Sequence, residues 1–317
     1  MTRTGYNFPN LTAIKPYLEP AGQGPCGRWA RETAQRLRCK VCVGYPEIER
    51  EEGTGSEKYY NALLMVDENG EVLVNYRKTF LYYTDETWAA EGDAERGFKQ
   101  LPFSSSSLLG VDGGGGGGDA SKAIATTFGI CMDINPYRFE APFTAWEFAN
   151  RILDSRSQLV ILSMAWLTHK DREQLNALGK KPDSDTFNYW IIRLMPLFRR
   201  HMQHEGGNPD GEKRVTVVFS NRVGEEEGHG DDDSDGVRYA GTSAILAFSQ
   251  RPSSSPSSPI RTGDGDEDED GDGGEEGSDL DVKVLCWDLM GATEEGICFA
   301  DTASDPKLAF TLARAGE

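Results

Sequence analysis

The chain has no apolar run approaching the roughly 18 residues that a membrane-crossing helix needs. It also lacks a basic start followed by an apolar segment, the pattern of a secretory leader. Basic residues form no patch or stripe, which argues against nucleic-acid binding. Six cysteines (26, 39, 42, 131, 286, 298) are too sparse for a disulfide scaffold in a chain this long. The four histidines (169, 201, 204, 229) show no ligand spacing tied to a motif. A protein of a reducing compartment is the expectation: cytoplasmic, with a mitochondrial or nuclear pool compatible.

At 317 residues the chain can bury one large core, and a single domain over 1–317 is expected. Its net charge of −19 is unevenly spread. Residues 225–235 hold seven acids and 264–281 hold eleven, with no lysine or arginine in either, so the remainder is close to neutral. These runs, with the serine- and glycine-rich stretch before residue 120, are expected to be inserts at about 104–120, 225–236 and 251–281. Elsewhere strands and helices alternate. Arg28 to Arg38 has helical spacing with Trp29, Thr33 and Leu37 on one face. Asn61 to Asp67 and Glu71 to Tyr76 read as strands joined at Asp67-Glu-Asn-Gly70, a turn signal. Asp185 to His201 reads as a helix with Phe187, Ile191, Leu194 and Phe198 along one side, bent at Pro196. The pattern predicts a layered α/β domain.

Two segments carry chemistry. In Phe128-Gly-Ile-Cys131-Met-Asp133, a cysteine closes a buried strand just before a chain reversal. That geometry lifts a thiol toward a cleft, near a helix start that favours the thiolate. The alternative is a packed core cysteine, since free cysteines are among the most buried residues. In Val74-Asn-Tyr-Arg-Lys78-Thr-Phe, a lysine closes a strand among aromatics, where it could stabilise an oxyanion. The alternative is a strand-end lysine in solvent.

Several short motifs resemble, in order, those of the nitrilase-type carbon–nitrogen hydrolases: Gly5-Tyr-Asn-Phe, Val43-Gly-Tyr-Pro-Glu47, Tyr76-Arg-Lys78, Gly129-Ile-Cys131-Met-Asp133 and Leu162-Ser-Met-Ala-Trp166. Thr4-Gly-Tyr-Asn-Phe, Cys131-Met-Asp-Ile-Asn-Pro-Tyr137 and Trp287-Asp-Leu-Met are similar to the fungal amidohydrolases that deamidate N-terminal asparagine and glutamine. The resemblance implies an αββα sandwich with a Glu–Lys–Cys site, no cofactor and no metal. It carries Cys131 over as nucleophile, Lys78 as oxyanion holder and Glu86, eight residues after the lysine, as a second glutamate. It places the general-base glutamate in a Pro-Glu pair five residues before Gly5, immediately ahead of Met1. The expectation is therefore a sandwich lacking its first strand-helix-strand, with an inactive truncated form as one alternative. An amidase acting on a small amide, nitrile or carbamoyl compound is another.

The implied substrate is a protein or peptide N-terminus, its deamidation feeding N-degron degradation, and the implied assembly is a homodimer of packed sandwiches. A free α-ammonium calls for a carboxylate near the nucleophile, and Asp133 is the candidate; capping the next turn is its other reading. Tyr137 and Trp166 are candidate pocket walls, although such aromatics also serve as plain core. Cys39-Lys-Val-Cys42 lacks a second ligand pair, and the acidic run at 264–275 has Glu269 where a calcium loop needs glycine.

Overall fold

The computed structural model describes residues 4–103, 122–203, 211–228, 236–252 and 280–311. Most of the expected inserts lie outside the described residues. Among the described residues no helix is long and apolar enough to cross a membrane.

Alternating side chains sort the chain into layers. Strands β1 (Val41–Arg50), β2 (Glu57–Val66) and β3 (Val72–Arg77) form an antiparallel sheet in that order. Their hairpin turns where the motif predicts it: Gly70 sits at φ 84°, and Asp67 Oδ1 accepts from the backbone N–H of Asn69 and Glu71. One face of β2 presents Ala62, Leu64 and Val66 to the helix Pro25–Leu37; the other presents Leu63 and Met65 to a second sheet. That helix begins at Pro25, and the buried Glu19 carboxylate caps the Cys26 N–H at 2.9 Å. It packs through Cys26, Ala30 and Ala34, whereas Trp29 and Leu37 are exposed. The expected Trp29/Thr33/Leu37 face is therefore corrected, because small side chains let the helix lie close on the sheet.

The second sheet has the order β12-β11-β10-β7-β6-β5-β4. Its strands are β4 (Phe98–Phe103), β5 (Lys122–Ile130), β6 (Leu159–Met164), β7 (Lys213–Asn221), β10 (Ala244–Pro252), β11 (Leu280–Leu289) and β12 (Leu308–Phe310). Here β5, β6 and β7 are parallel and the outer pairs antiparallel. A further two-residue ladder joins β8 (Glu225–Glu226) to β9 (Val237–Arg238). So the first acids of the run expected as an insert at 225–236 belong to the ordered fold.

Leu63, Met65, Val74 and Tyr76 of one sheet meet Leu101, Phe128 and Ile130 of the other, forming the inner core. The outer face of the large sheet is covered by helices Glu147–Asp154, Ser184–Arg193 and Pro196–Arg199, which bury Phe148, Ile152, Trp190 and Leu197. Trp190 stacks on Phe219 with ring centroids 4.9 Å apart. Phe187, Ile191, Leu194 and Phe198 are buried as expected, and the helix breaks before Pro196. The result is helix, sheet, sheet, helix: the αββα sandwich. Strands β4 and β12 and the helix Arg172–Leu178 are additions that periodicity did not announce.

Gly129 shows how tightly these layers close. A Cβ there would lie 2.8 Å from both Leu162 and Phe148. Replacing Gly129 with alanine is expected to cost about 1–3 kcal/mol in denaturant unfolding. Wild-type stability in that variant would contradict the packing described.

Candidate active site

Adjacent parallel strands β5 and β6 end at Ile130 and Met164, and functional groups collect at such carboxyl ends. Cys131 is the first residue past β5. Its φ of 45° is left-handed, a strained conformation that costs on the order of 1–3 kcal/mol for a residue other than glycine. It opens the tight turn Cys131–Ile134 and is buried, but lines a cleft. Burial pushes the thiol up, while the Lys78 ammonium and the Ala165 N–H pull it down; the net direction is above an ordinary thiol.

Lys78 follows β3 and is fully buried. Its Nζ lies 2.5 Å from Asp85 Oδ2. Asp85 also accepts from Tyr6 Oη at 3.2 Å, Asn61 Nδ2 at 3.0 Å and the Tyr82 N–H at 3.1 Å. Burial pushes the lysine down, but Asp85 and then Cys131 push it up by more, so Lys78 remains an ammonium. Its positive charge favours the Cys131 thiolate. The Tyr6 ring closes over Lys78, with the centroid 5.7 Å from Nζ.

Three expectations need correcting. Glu86, the residue eight after Lys78, is exposed; the short helix Tyr83–Glu86 turns Asp85 inward instead. Asp133 is buried and fully engaged. It accepts from Tyr76 Oη at 2.8 Å and from the N–H groups of Thr79 at 3.0 Å, Phe80 at 2.8 Å and Ile130 at 2.7 Å. It thus clamps the thiol turn to the segment after Lys78 and has no lone pair to spare for an ammonium. Tyr137 is not among the residues lining the cleft. Its hydroxyl donates to Glu91 at 2.8 Å, and its ring lies 5.1 Å from Phe80. Trp166 does line the cleft, with its backbone N–H held by Asn221 Oδ1 at 2.7 Å.

The cleft has a volume of about 830 Å³. Cys131 and Tyr6 lie in it, Tyr82, Trp166 and Tyr189 form aromatic walls, and Asp183 and Asp185 add carboxylates. Lys170 bridges those two acids at 3.0 and 2.8 Å, leaving one net negative charge in the group. Glu47 lies elsewhere, paired with Arg77 at 2.5 Å and accepting from Asn75 at 2.9 Å. Among the described residues no carboxylate hydrogen-bonds the Cys131 sulfur.

Tyr6, Asn61, Asp85, Tyr82, Tyr189 and Asp183 were not singled out as site residues by sequence. Tyr6 left a trace inside the Gly5-Tyr-Asn-Phe motif, and Asp85 as the neighbour of the expected Glu86. The others are set by packing between segments distant in the chain.

No protein-family model matches the chain. The protein N-terminal amidase of Schizosaccharomyces pombe is 33% identical over 263 residues, covering 79% of this chain and 77% of that protein. The protein N-terminal amidase of Saccharomyces cerevisiae is 37% identical over 166 residues, covering 52% of this chain and 34% of that protein. Solved structures of an N-terminal amidase, with an Asn-Glu-Ala peptide and with a Gln-Val peptide, superpose at a TM-score of 0.58 and 22% identity. Each covers 77% of this chain and 78% of its own, a likeness of fold.

Removing one partner of a buried ion pair leaves the other charge uncompensated. Lys78→Met is expected to lose about 3–5 kcal/mol in urea unfolding, with Lys78→Met/Asp85→Asn losing less than Lys78→Met alone. The same variant should move alkylation of Cys131 to higher pH, since the ammonium that favours the thiolate is gone. An unchanged pH profile would show that Lys78 does not act on the thiol.

Proposed function

We propose, on the footing that this chain belongs to the protein N-terminal amidase family, that it hydrolyses the side-chain amide of asparagine or glutamine at the N-terminus of proteins and peptides. The observation that carries this reading is the free thiol of Cys131 beside the buried Lys78–Asp85 pair, on the wall of a cleft wide enough for a peptide end.

The chemistry follows from those groups. The Cys131 thiolate attacks the amide carbonyl carbon, forming a C–S bond and an oxyanion. Lys78, charged and fixed by Asp85, stabilises that oxyanion without reorganising. The C–N bond breaks, and nitrogen leaves as ammonia after taking a proton. Water then attacks the thioester, the thiolate departs, and an N-terminal aspartate or glutamate remains. The resemblance assigns removal of the thiol proton to a glutamate of a Pro-Glu pair; Cys131, Lys78 and the cleft support the remaining parts of this reading.

Recognition of a free α-ammonium falls to the cleft walls. The faces of Tyr82 and Trp166 and the carboxylates of Asp183 and Asp185 suit a cation, whereas Asp133 is spent on the thiol turn. A site that depends on a free thiol fits a reducing compartment such as the cytoplasm. The acidic N-terminus produced would feed degradation that reads N-terminal residues.

The test is ammonia release from Asn- and Gln-peptides with free or acetylated N-termini. Free peptides are expected to be hydrolysed, acetylated ones spared, and Cys131→Ser inactive. Turnover of small amides without turnover of free peptides would overturn the substrate reading. Activity surviving in Cys131→Ser would overturn the mechanism.

A further inference from the structure

One half-buried acid next to the site has no part in the chemistry above. Glu226 stands on β8, at the start of an acid-rich run, yet its side chain is only 17% exposed. Its carboxylate accepts the Tyr6 N–H through both oxygens, at 3.0 and 2.9 Å, and the Asn7 N–H at 2.8 Å. Arg222 pairs with the same carboxylate from the other side, and its guanidinium lies 4.6 Å from the Tyr239 ring centroid.

A separate feature shows how closely the two segments meet. Gly5 has φ 82°, and a Cβ built there would come within 3.0 Å of Glu226 Oε1. The segment thus presses its backbone against the carboxylate at a point where only glycine fits. The contact also bridges 220 residues of sequence, from Tyr6 to Glu226. From that anchor Tyr6 extends its hydroxyl to Asp85, the acid that holds Lys78.

We propose that Glu226 is a positioning residue of the site: it fixes the backbone of Tyr6 and Asn7, which sets the Tyr6 hydroxyl on Asp85 and thereby holds the Lys78 ammonium beside Cys131. Glu226 is not among the residues lining the cleft, so its influence passes through Tyr6. The charge-assisted bonds it makes with two N–H groups are of the stronger kind and fix orientation as well as distance. The consequence for turnover rests on the amidase reading above; the consequence for the thiol does not.

The experiment compares Glu226→Gln, Tyr6→Phe and the double variant in the full chain. Alkylation of Cys131 by iodoacetamide is followed across pH by peptide mass spectrometry, and kcat and KM are measured with a Gln-peptide. Glu226→Gln is expected to move alkylation to higher pH and to lower kcat by roughly tenfold to a hundredfold, with KM changed less. The double variant should be no worse than the more impaired single variant, because both act through one linkage. Gly5→Ala, which crowds the same carboxylate from the backbone side without changing its charge, should reproduce the shift even if Glu226→Gln folds poorly. A wild-type alkylation profile in both Glu226→Gln and Gly5→Ala would overturn the proposal, as would single-variant effects that multiply in the double. If the wild-type chain releases no ammonia from any peptide, the amidase reading fails while the alkylation comparison still decides the role of Glu226.

Discussion

A buried ion pair fixes the architecture of this site. Taking an ammonium and a carboxylate out of water costs several kcal/mol per ion, and their attraction repays it only when the remaining hydrogen-bonding positions are filled. On the carboxylate they are filled from four directions: the N-terminal segment through Tyr6, β2 through Asn61, the backbone at Tyr82, and Lys78 itself. Such a pair is a poor way to gain stability. Its value is that it places one charged ammonium in dry surroundings, where it acts on the neighbouring thiol with little solvent screening.

The rest of the inner layer can be understood as support for that placement. Asp133 ties the thiol turn to the chain just past Lys78 through backbone N–H groups on both sides. The two sheets meet through Leu63, Met65, Tyr76, Phe128 and Ile130, so Cys131 and Lys78 are each the first residue beyond a packed strand. A thiol in left-handed backbone at the end of β5 holds strain that this packing can sustain. Dispersed contacts thus become a single reactive geometry.

Much of this was legible in sequence because it is local. The Asp67–Gly70 turn follows from the need for positive φ, and the break at Pro196 from the missing N–H of proline. Cys131 and Lys78 stand at strand ends, where apolar runs stop at a polar group. What failed was phase and partnership. An eight-residue spacing pointed to Glu86, but one short helical turn decides which of two neighbouring acids faces inward, and it is Asp85. Asp133 looked like a substrate ligand because it is two residues from the thiol; its partners, Tyr76, Thr79 and Phe80, come from across the sandwich. Glu226 looked like part of a solvated charge run, and only the fold shows that it receives the N–H groups of Tyr6 and Asn7. Helix packing through Ala30 and Ala34 likewise reversed the face that large side chains suggested.

Covalent attack by Cys131 is the step on which the proposed chemistry most directly depends. Acid-quenched intact-mass analysis of the protein during turnover of an N-terminal Gln peptide measures that step. The expected result is an adduct equal to the peptide less ammonia, located on Cys131 by digestion and absent when the peptide is N-acetylated. Deamidated product formed with the adduct on another cysteine, or with none trapped even when thioester hydrolysis is slowed, would contradict it.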